Sequence, residues 1–414
     1  MLRVVIGLPL AVIVVGGIWL RWRYSQTVGL HVDEFTTLWA ARRTLEEGVP
    51  RMPSGVIYTR GLFSTYITAA FLAVGGESYT VGRLPSIVFG VASIVAILGV
   101  GRVGWNRRVG WLAAIGLALL PEAITWSGRA RFYSQLLLFA LLTIWLAYWA
   151  LQTDDDGPKE GVVAPSLGRY MLFAAMFVLA LFSQEETILL FPLIVLGMVL
   201  WGGWRYLLRP PVLTANLICI GAMAMRYGFE IWGQPGYFDT IQEQKPYVAL
   251  LHDVAASWQF YSGYLMRNAR IVWSIAALFG VGVALVQWIR RRVPLNRLPA
   301  DQQATLYFAL HFFGVLVILL TMVGSGWRDS RYILFVLPCW LLIGAVGITW
   351  VIDRISAQLA WRWSMTVLVG TGIALFMWPS AVNVLAQDSD RYEDAFHYVL
   401  AQRGDDDIVM TPQP

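Results

Sequence analysis

Two acids stand side by side at Asp33 and Glu34, in the stretch GLHVDEFTTLWAARRTLEEG that runs from Gly29 to Gly48. A carboxylate can serve as a general base on an incoming hydroxyl or amine. Later segments hold groups of the complementary charge. SGRARFYS, Ser127–Ser134, offers Arg129, Arg131 and Tyr133, and GSGWRDSRY, Gly324–Tyr332, offers Arg328, Arg331 and Tyr332 beside Asp329. Arg60 and Arg83 flank the apolar segment Leu62–Val74. Guanidinium forks suit phosphate geometry and neutralise a phosphate as it leaves. SQEET adds Glu185 and Glu186 at a further turn, and His31 stands next to the acid pair; these three are candidates for supporting an acceptor.

Each group also has a plainer reading. Phe35, Leu38, Trp39 and Leu45 share one helical face, so a helix starts near position 34. Asp33 then serves as its N-cap and Glu34 complements the positive helix end. Arg129 and Arg131 can snorkel to lipid headgroups. An Arg–Asp pair can close the turn at Arg328–Tyr332, and Glu185 and Glu186 can simply be solvated. Glu122, after Pro121 near the end of an apolar run, is an intramembrane acid and so a functional candidate. The four histidines are scattered, without metal-ligand spacing. No Gly-rich phosphate loop is visible.

The elements that must position these residues are membrane spans. Of 414 residues, 57% are hydrophobic and 14% charged, and mean hydropathy is +0.60. Soluble domains are about one quarter charged, so the chain is a polytopic membrane protein, all-α. The 20 Trp, 17 Tyr and 20 Phe suit many membrane–water interfaces. About eleven spans are expected, at 4–22, 84–104, 109–127, 132–151, 170–183, 187–201, 212–226, 270–289, 305–324, 332–352 and 364–380. Leu62–Val74, followed by Gly75-Gly76, is too short to cross and reads as an interfacial or re-entrant helix.

Arg107-Arg108, Arg205 with Arg209, and Arg290-Arg291-Arg292 fall in short loops on one side, which the positive-inside rule makes cytoplasmic. The N-terminus is then cytoplasmic. The outer side receives the first long loop (23–83), a second (226–268), the candidate turns, and the C-terminus. A transmembrane domain spans 1–383. Residues 384–414 read as the truncated start of a small outer α/β domain, with an amphipathic helix and a strand start at DIVMT.

The net charge of +5 reflects topology and not nucleic-acid binding. Cys219 and Cys339 lie inside apolar runs and read as buried small hydrophobes. An acid and several arginines at outer turns, with a phosphate hung from a lipid, add up to sugar transfer from a lipid-phosphate donor. A lipid or solute transporter is the alternative; it would line mid-span positions with charge, whereas here charges collect at the ends. A non-catalytic scaffold would leave Asp33 as a helix cap alone.

The chain resembles the GT-C membrane glycosyltransferases, on the branch of the dolichyl-phosphate-mannose protein mannosyltransferases and the bacterial lipid A aminoarabinose transferases. The resemblance rests on the Asp-Glu pair soon after the first span and on GRLPSIVFGVASIVAILGVGR at Gly82–Arg102. It rests also on LLPEAITWSGRARFYSQLLLFALL at Leu119–Leu142 and RYILFVLPCW at Arg331–Trp340. It implies a GT-C bundle with a large first outer loop bearing interfacial helices, in the bacterial plasma membrane. It implies a polyprenyl-phosphate-linked hexose or pentose as donor, surrounding membrane lipids, and an inverting displacement onto a protein, lipid or glycan. Asp33 would be the base and Glu34 its helper. Arg60 would lie near the donor phosphate, and Arg331 and Tyr332 would close on it. Several relatives carry a second acid where this chain has Tyr133. Some members of the wider class use a divalent cation, and the resemblance leaves metal use open.

Overall fold

The computed structural model describes residues 2–152, 165–233, 250–251, 253–324 and 328–386, with 397–399, 401–402 and 404 beyond them. Long apolar runs become helices because, in hydrocarbon, a helix satisfies its own backbone polar groups. The helices are α1 (Leu2–Thr27), α2 (Val32–Glu47), α3 (Leu62–Gly75), α4 (Tyr79–Gly104), α5 (Arg107–Leu119), α6 (Pro121–Gly128), α7 (Tyr133–Leu151) and α8 (Leu167–Ser183). They continue with α9 (Leu190–Gly202), α10 (Pro210–Gly233), α11 (Val254–Leu265), α12 (Arg270–Arg291), α13 (Ala300–Met322), α14 (Leu337–Ile355) and α15 (Leu359–Asn383).

Eight helical stretches among the described residues are long and apolar enough to cross a membrane, or nine if the bent pair α5–α6 counts as one span. The two other expected spans coincide with α1 and with α8, whose 17 residues make it a shorter apolar helix. α3 has 14 residues, about 21 Å of helix. It packs on α2 and α4, so the first loop folds back on the bundle as a pair of short helices.

α5, α7 and α14 are buried along most of their length and form the core. α10, α12 and α15 keep an apolar face outward, with Leu217, Ile275 and Leu375 among the exposed side chains. That is the surface an integral membrane protein turns to lipid. α12 and α14 make the most extensive helix contact, because small residues let their backbones approach. A Cβ on Gly347 would sit 2.2 Å from the Ala276 carbonyl oxygen.

The break between α5 and α6 bends the pair by 61°. Pro121 has no N–H, so the Leu117 carbonyl loses its helical donor. Arg21, fully buried in α1, supplies the replacement: it donates to the carbonyls of Leu117 at 2.9 Å and Ala118 at 2.7 Å. The negative end of the α5 dipole offsets the buried charge.

The second long loop starts later than expected. α10 continues past Arg226 to Gly233, residues 234–249 lie outside the described set, and α11 follows. The expected outer domain from 384 also lies mostly outside the described residues, DIVMT included. At the opposite end of the bundle, Arg108 and Arg362 both pair with Asp353, tying α5, α14 and α15 together. Cys219 and Cys339 are buried free thiols.

Candidate functional site

The first turn of α2 is capped by His31, not by Asp33. The His31 ring accepts from the Asp33 N–H at 3.2 Å, and Glu34 reaches back to the His31 N–H at 2.9 Å, a reciprocal capping box. Burial and the nearby Arg129 charge hold the His31 imidazole below the ordinary histidine value. Asp33 is therefore released from capping, and its side chain is 30% exposed.

Glu34 has the opposite fate. Its side chain is fully buried, and both oxygens face Arg83, with Nε to Oε1 and a terminal nitrogen to Oε2 each at 2.8 Å. The Ala130 N–H adds a bond to Oε1 at 2.7 Å. Arg83 also donates to the carbonyls of Ser25, Val28 and Gly29. Glu34 thus lacks the open lone pairs a substrate-contacting helper needs, and Arg83 is saturated and corrected from an anion candidate to a structural anchor. Together they clamp the end of α1, the start of α2, α4, and the 129–132 turn.

That turn delivers Arg131 to Asp33. One terminal nitrogen of Arg131 is shared among the Asp33 carbonyl (3.1 Å), Thr37 Oγ1 (3.1 Å) and the Tyr58 hydroxyl (2.9 Å). The other lies 3.5 Å from Asp33 Oδ2, and the side chain is 6% exposed. Ser86 Oγ donates to the Arg131 carbonyl at 2.8 Å. Gly61, at φ +62, passes so close that a Cβ there would lie 2.3 Å from Phe132 Cδ1.

From the far end of the sequence, Arg331 reaches the same oxygen, 3.5 Å from Asp33 Oδ2. It belongs to a short 3-10 helix, Ser330–Val336, capped by Asp329, whose Oδ1 accepts from the Arg331 N–H at 2.9 Å. Asp329 also lies 3.2 Å from Arg331 Nε, and the Tyr332 ring lies under the guanidinium at 5.5 Å. Tyr133 is buried between Trp126 and Phe132, at 4.3 and 4.6 Å between ring centres. Glu186 is within electrostatic reach of Arg331, Tyr133 and Tyr332 and accepts from Gln184 at 3.3 Å.

The remaining candidates go elsewhere. Arg129 donates to the Tyr24 hydroxyl at 2.9 Å and lies over Trp126. Arg328 engages Asp253 and Ser257 near the start of α11, not Asp33. Glu185 is a largely exposed residue that, with Glu230, pairs with the buried Arg226, at 3.3 and 3.4 Å. Arg60 is exposed and acts electrostatically on Glu230. Glu122 pairs with Arg270, whose guanidinium covers the Tyr264 ring at 4.1 Å. Among the described residues no group of three or more His, Cys, Asp or Glu is gathered for a metal ion.

Thr37, Tyr58, Ser86 and Arg21 were not visible as site or support residues in the sequence. Their bonds join positions far apart in the chain, and no local spacing signals them. The assembled site is a half-exposed carboxylate bracketed by two arginines, one locked and one half-exposed, with aromatic walls. It can take a proton and bind an anion side by side.

Residues 59–227 match the family model of dolichyl-phosphate-mannose-protein mannosyltransferase. The stretch holds Arg83, Arg131, Tyr133 and Glu186; Asp33 and Arg331 lie on either side of it. The fold is similar to that of ArnT from Cupriavidus metallidurans bound to undecaprenyl phosphate, with a TM-score of 0.63 at 15% identity, covering 97% of this chain and 81% of that one. It is also similar to the oligosaccharyltransferase AglB from Archaeoglobus fulgidus in complex with an inhibitory peptide and a dolichol-phosphate: TM-score 0.62, 11% identity, 96% of this chain and 58% of that one. A probable peptidoglycan glycosyltransferase FtsW of Helicobacter pylori is 23% identical over 327 residues, 70% of this chain and 83% of that protein. The chain is thus similar over residues 59–227 to the dolichyl-phosphate-mannose-protein mannosyltransferases, and its fold is similar to those of ArnT and AglB.

Proposed function

We propose that the protein transfers a sugar from a polyprenyl-phosphate donor to an acceptor at the outer face of a bacterial plasma membrane, with Asp33 as the general base. The observation that carries this reading is the pairing of one exposed carboxylate with two guanidinium groups, Arg131 and Arg331, each 3.5 Å from Asp33 Oδ2. The relatives in complex with undecaprenyl phosphate and dolichol-phosphate support the donor class.

Asp33 takes the proton of the acceptor hydroxyl or amine as that atom bonds to the anomeric carbon. The bond from that carbon to the phosphate oxygen breaks, and its electron pair stays on the phosphate. Arg331 neutralises the charge that develops there. A single displacement inverts the anomeric centre and needs one base. Arg131 keeps Asp33 in place, and Arg83 with Glu34 keeps Arg131 in place. The active site and C-terminus lie outside and the N-terminus is cytoplasmic, because the short arginine-rich loops stand at the opposite end of the bundle.

The test is sugar release from polyprenyl-phosphate sugars by purified protein in lipid, wild type against Asp33→Asn. His31 caps α2, so the amide leaves the fold intact. Turnover by wild type with a loss of about 100-fold or more in the variant is the expected result. Full activity in Asp33→Asn would move the base elsewhere.

A further inference from the structure

Arg131 and Arg331 touch the same oxygen of Asp33 but are held very differently. Arg131 is buried, is shared among three oxygen acceptors on α2 and in the loop before α3, and has its backbone bonded to Ser86. Arg331 is 28% exposed and meets Asp33 at 3.5 Å, Asp329 at 3.2 Å from its own 3-10 turn, and the neighbouring Tyr332, with Glu186 within electrostatic reach. Both aspartate contacts are long for charge-assisted hydrogen bonds, which run near 2.7–2.9 Å. Arg83 has no N–H left, and Arg328 is engaged with Asp253 and Ser257. Arg331 is thus a guanidinium on Asp33 that is both part-exposed and held at long distance, whereas Arg129 is turned to Tyr24 and Trp126.

The same oxygen must be open if Asp33 is to accept a proton. With Arg331 on it, an approaching acceptor hydroxyl meets a competing cation. The other groups around it are His31, with Nδ1 at 4.0 Å from Oδ2, Arg131 from the 129–132 turn, and Tyr133 at the start of α7. His31 and Arg131 are tied to α2, Tyr133 is buried, and none of them can leave. Arg331 can, because its other close partners, Asp329 and Tyr332, are its neighbours in its own turn.

We infer that Arg331 exchanges partners: in the free protein it sits on Asp33, and the phosphate of the lipid donor draws it off, which opens Oδ2 to the acceptor. The inference rests on the proposed transferase reading and deepens it. It makes donor binding the event that frees the base, so donor must bind before acceptor. Arg131 stays behind to hold the carboxylate in position.

The exchange is a competition between Asp33 and phosphate for one guanidinium, and a double-mutant cycle reads it without turnover. Binding of undecaprenyl phosphate is measured to wild type, Asp33→Asn, Arg331→Ala and the double variant, each in phosphatidylcholine nanodiscs and each checked for helical content and thermal unfolding. Asp33→Asn is expected to bind up to about fivefold tighter than wild type, the scale of one partly exposed ion pair. Arg331→Ala is expected to bind more weakly than wild type. In that background Asp33→Asn should add nothing. Arg331→Lys, which keeps the charge, should restore binding and part of the coupling.

Equal tightening by Asp33→Asn with and without Arg331 would show plain repulsion between Asp33 and phosphate and overturn the exchange. So would wild-type affinity in Arg331→Ala. Either result leaves the donor class standing. Absence of undecaprenyl phosphate binding by folded wild type would remove the donor reading and the exchange together.

Discussion

Glu34 and Arg83 meet in a two-point ion pair at the floor of the site, with both nitrogen–oxygen distances 2.8 Å and side-chain exposures of 0% and 4%. Asp33, one residue earlier, is open to solvent. Two neighbouring acids thus divide the work: one fixes the architecture, the other faces the opening. A buried pair broken from one side leaves an uncompensated charge, at a cost of about 3–5 kcal/mol. Glu34→Gln is therefore expected to lower the unfolding temperature sharply, and activity should fall in step with the folded fraction. A Glu34→Gln protein with wild-type unfolding and no turnover would instead put Glu34 in the chemistry.

Arg21 makes a second case of buried charge used as backbone repair. Arg21→Leu orphans the Leu117 and Ala118 carbonyls in an apolar setting, at about 1–3 kcal/mol for each unsatisfied group. Thermal unfolding in lipid should rank wild type above Arg21→Lys, and Arg21→Lys above Arg21→Leu. A lysine keeps the charge but not the fork that reaches both carbonyls. Equal stability of all three would show that the α5–α6 break needs no donor from α1.

His31 makes the start of α2 sensitive to acid. Its folded-state pKa is lowered by burial first and by Arg129 second. The unfolded chain then binds the proton more readily, so this contribution is whole above the ordinary value of 6.5 and is lost as pH falls through the lower folded value. Protonation also removes the acceptor that caps the Asp33 N–H. Unfolding followed between pH 7 and about 5 should show stability falling with pH. His31→Asn, which caps without titrating there, should flatten that slope. An unchanged slope would assign the acid sensitivity to another group.

Gly61 joins the loop that carries Tyr58 to α3, and its positive φ and its contact with Phe132 leave no space for a side chain. Gly61→Ala combines left-handed strain of about 1–2 kcal/mol with displacement of Phe132. Since Phe132 follows Arg131 directly, transfer should weaken along with stability. Retained activity with only the strain cost visible in unfolding would mean that Phe132 moves without disturbing Arg131.

Much of this protein is decided within short stretches of its sequence. The apolar runs determine where helices form, because hydrocarbon tolerates no unpaired backbone. Pro121 determines the bend after α5, and the clusters at Asp33-Glu34, Arg129–Tyr133 and Arg331-Tyr332 mark turns at one end of the bundle. Those signals are local, so spacing and residue type carry them. By residue type aspartate is the preferred cap, so local sequence points to Asp33; the buried Glu34, bonded back to the His31 N–H, decides for His31. Which arginine meets which acid was beyond local reading. Glu34 with Arg83, Asp33 with Arg131 and Asp33 with Arg331 are pairs formed between helices and turns far apart in the chain. Like charges in a sequence are interchangeable until packing decides which are buried and saturated. Only the tertiary structure separates Arg83, with no N–H to spare, from Arg331, part-exposed and 3.5 Å from Asp33.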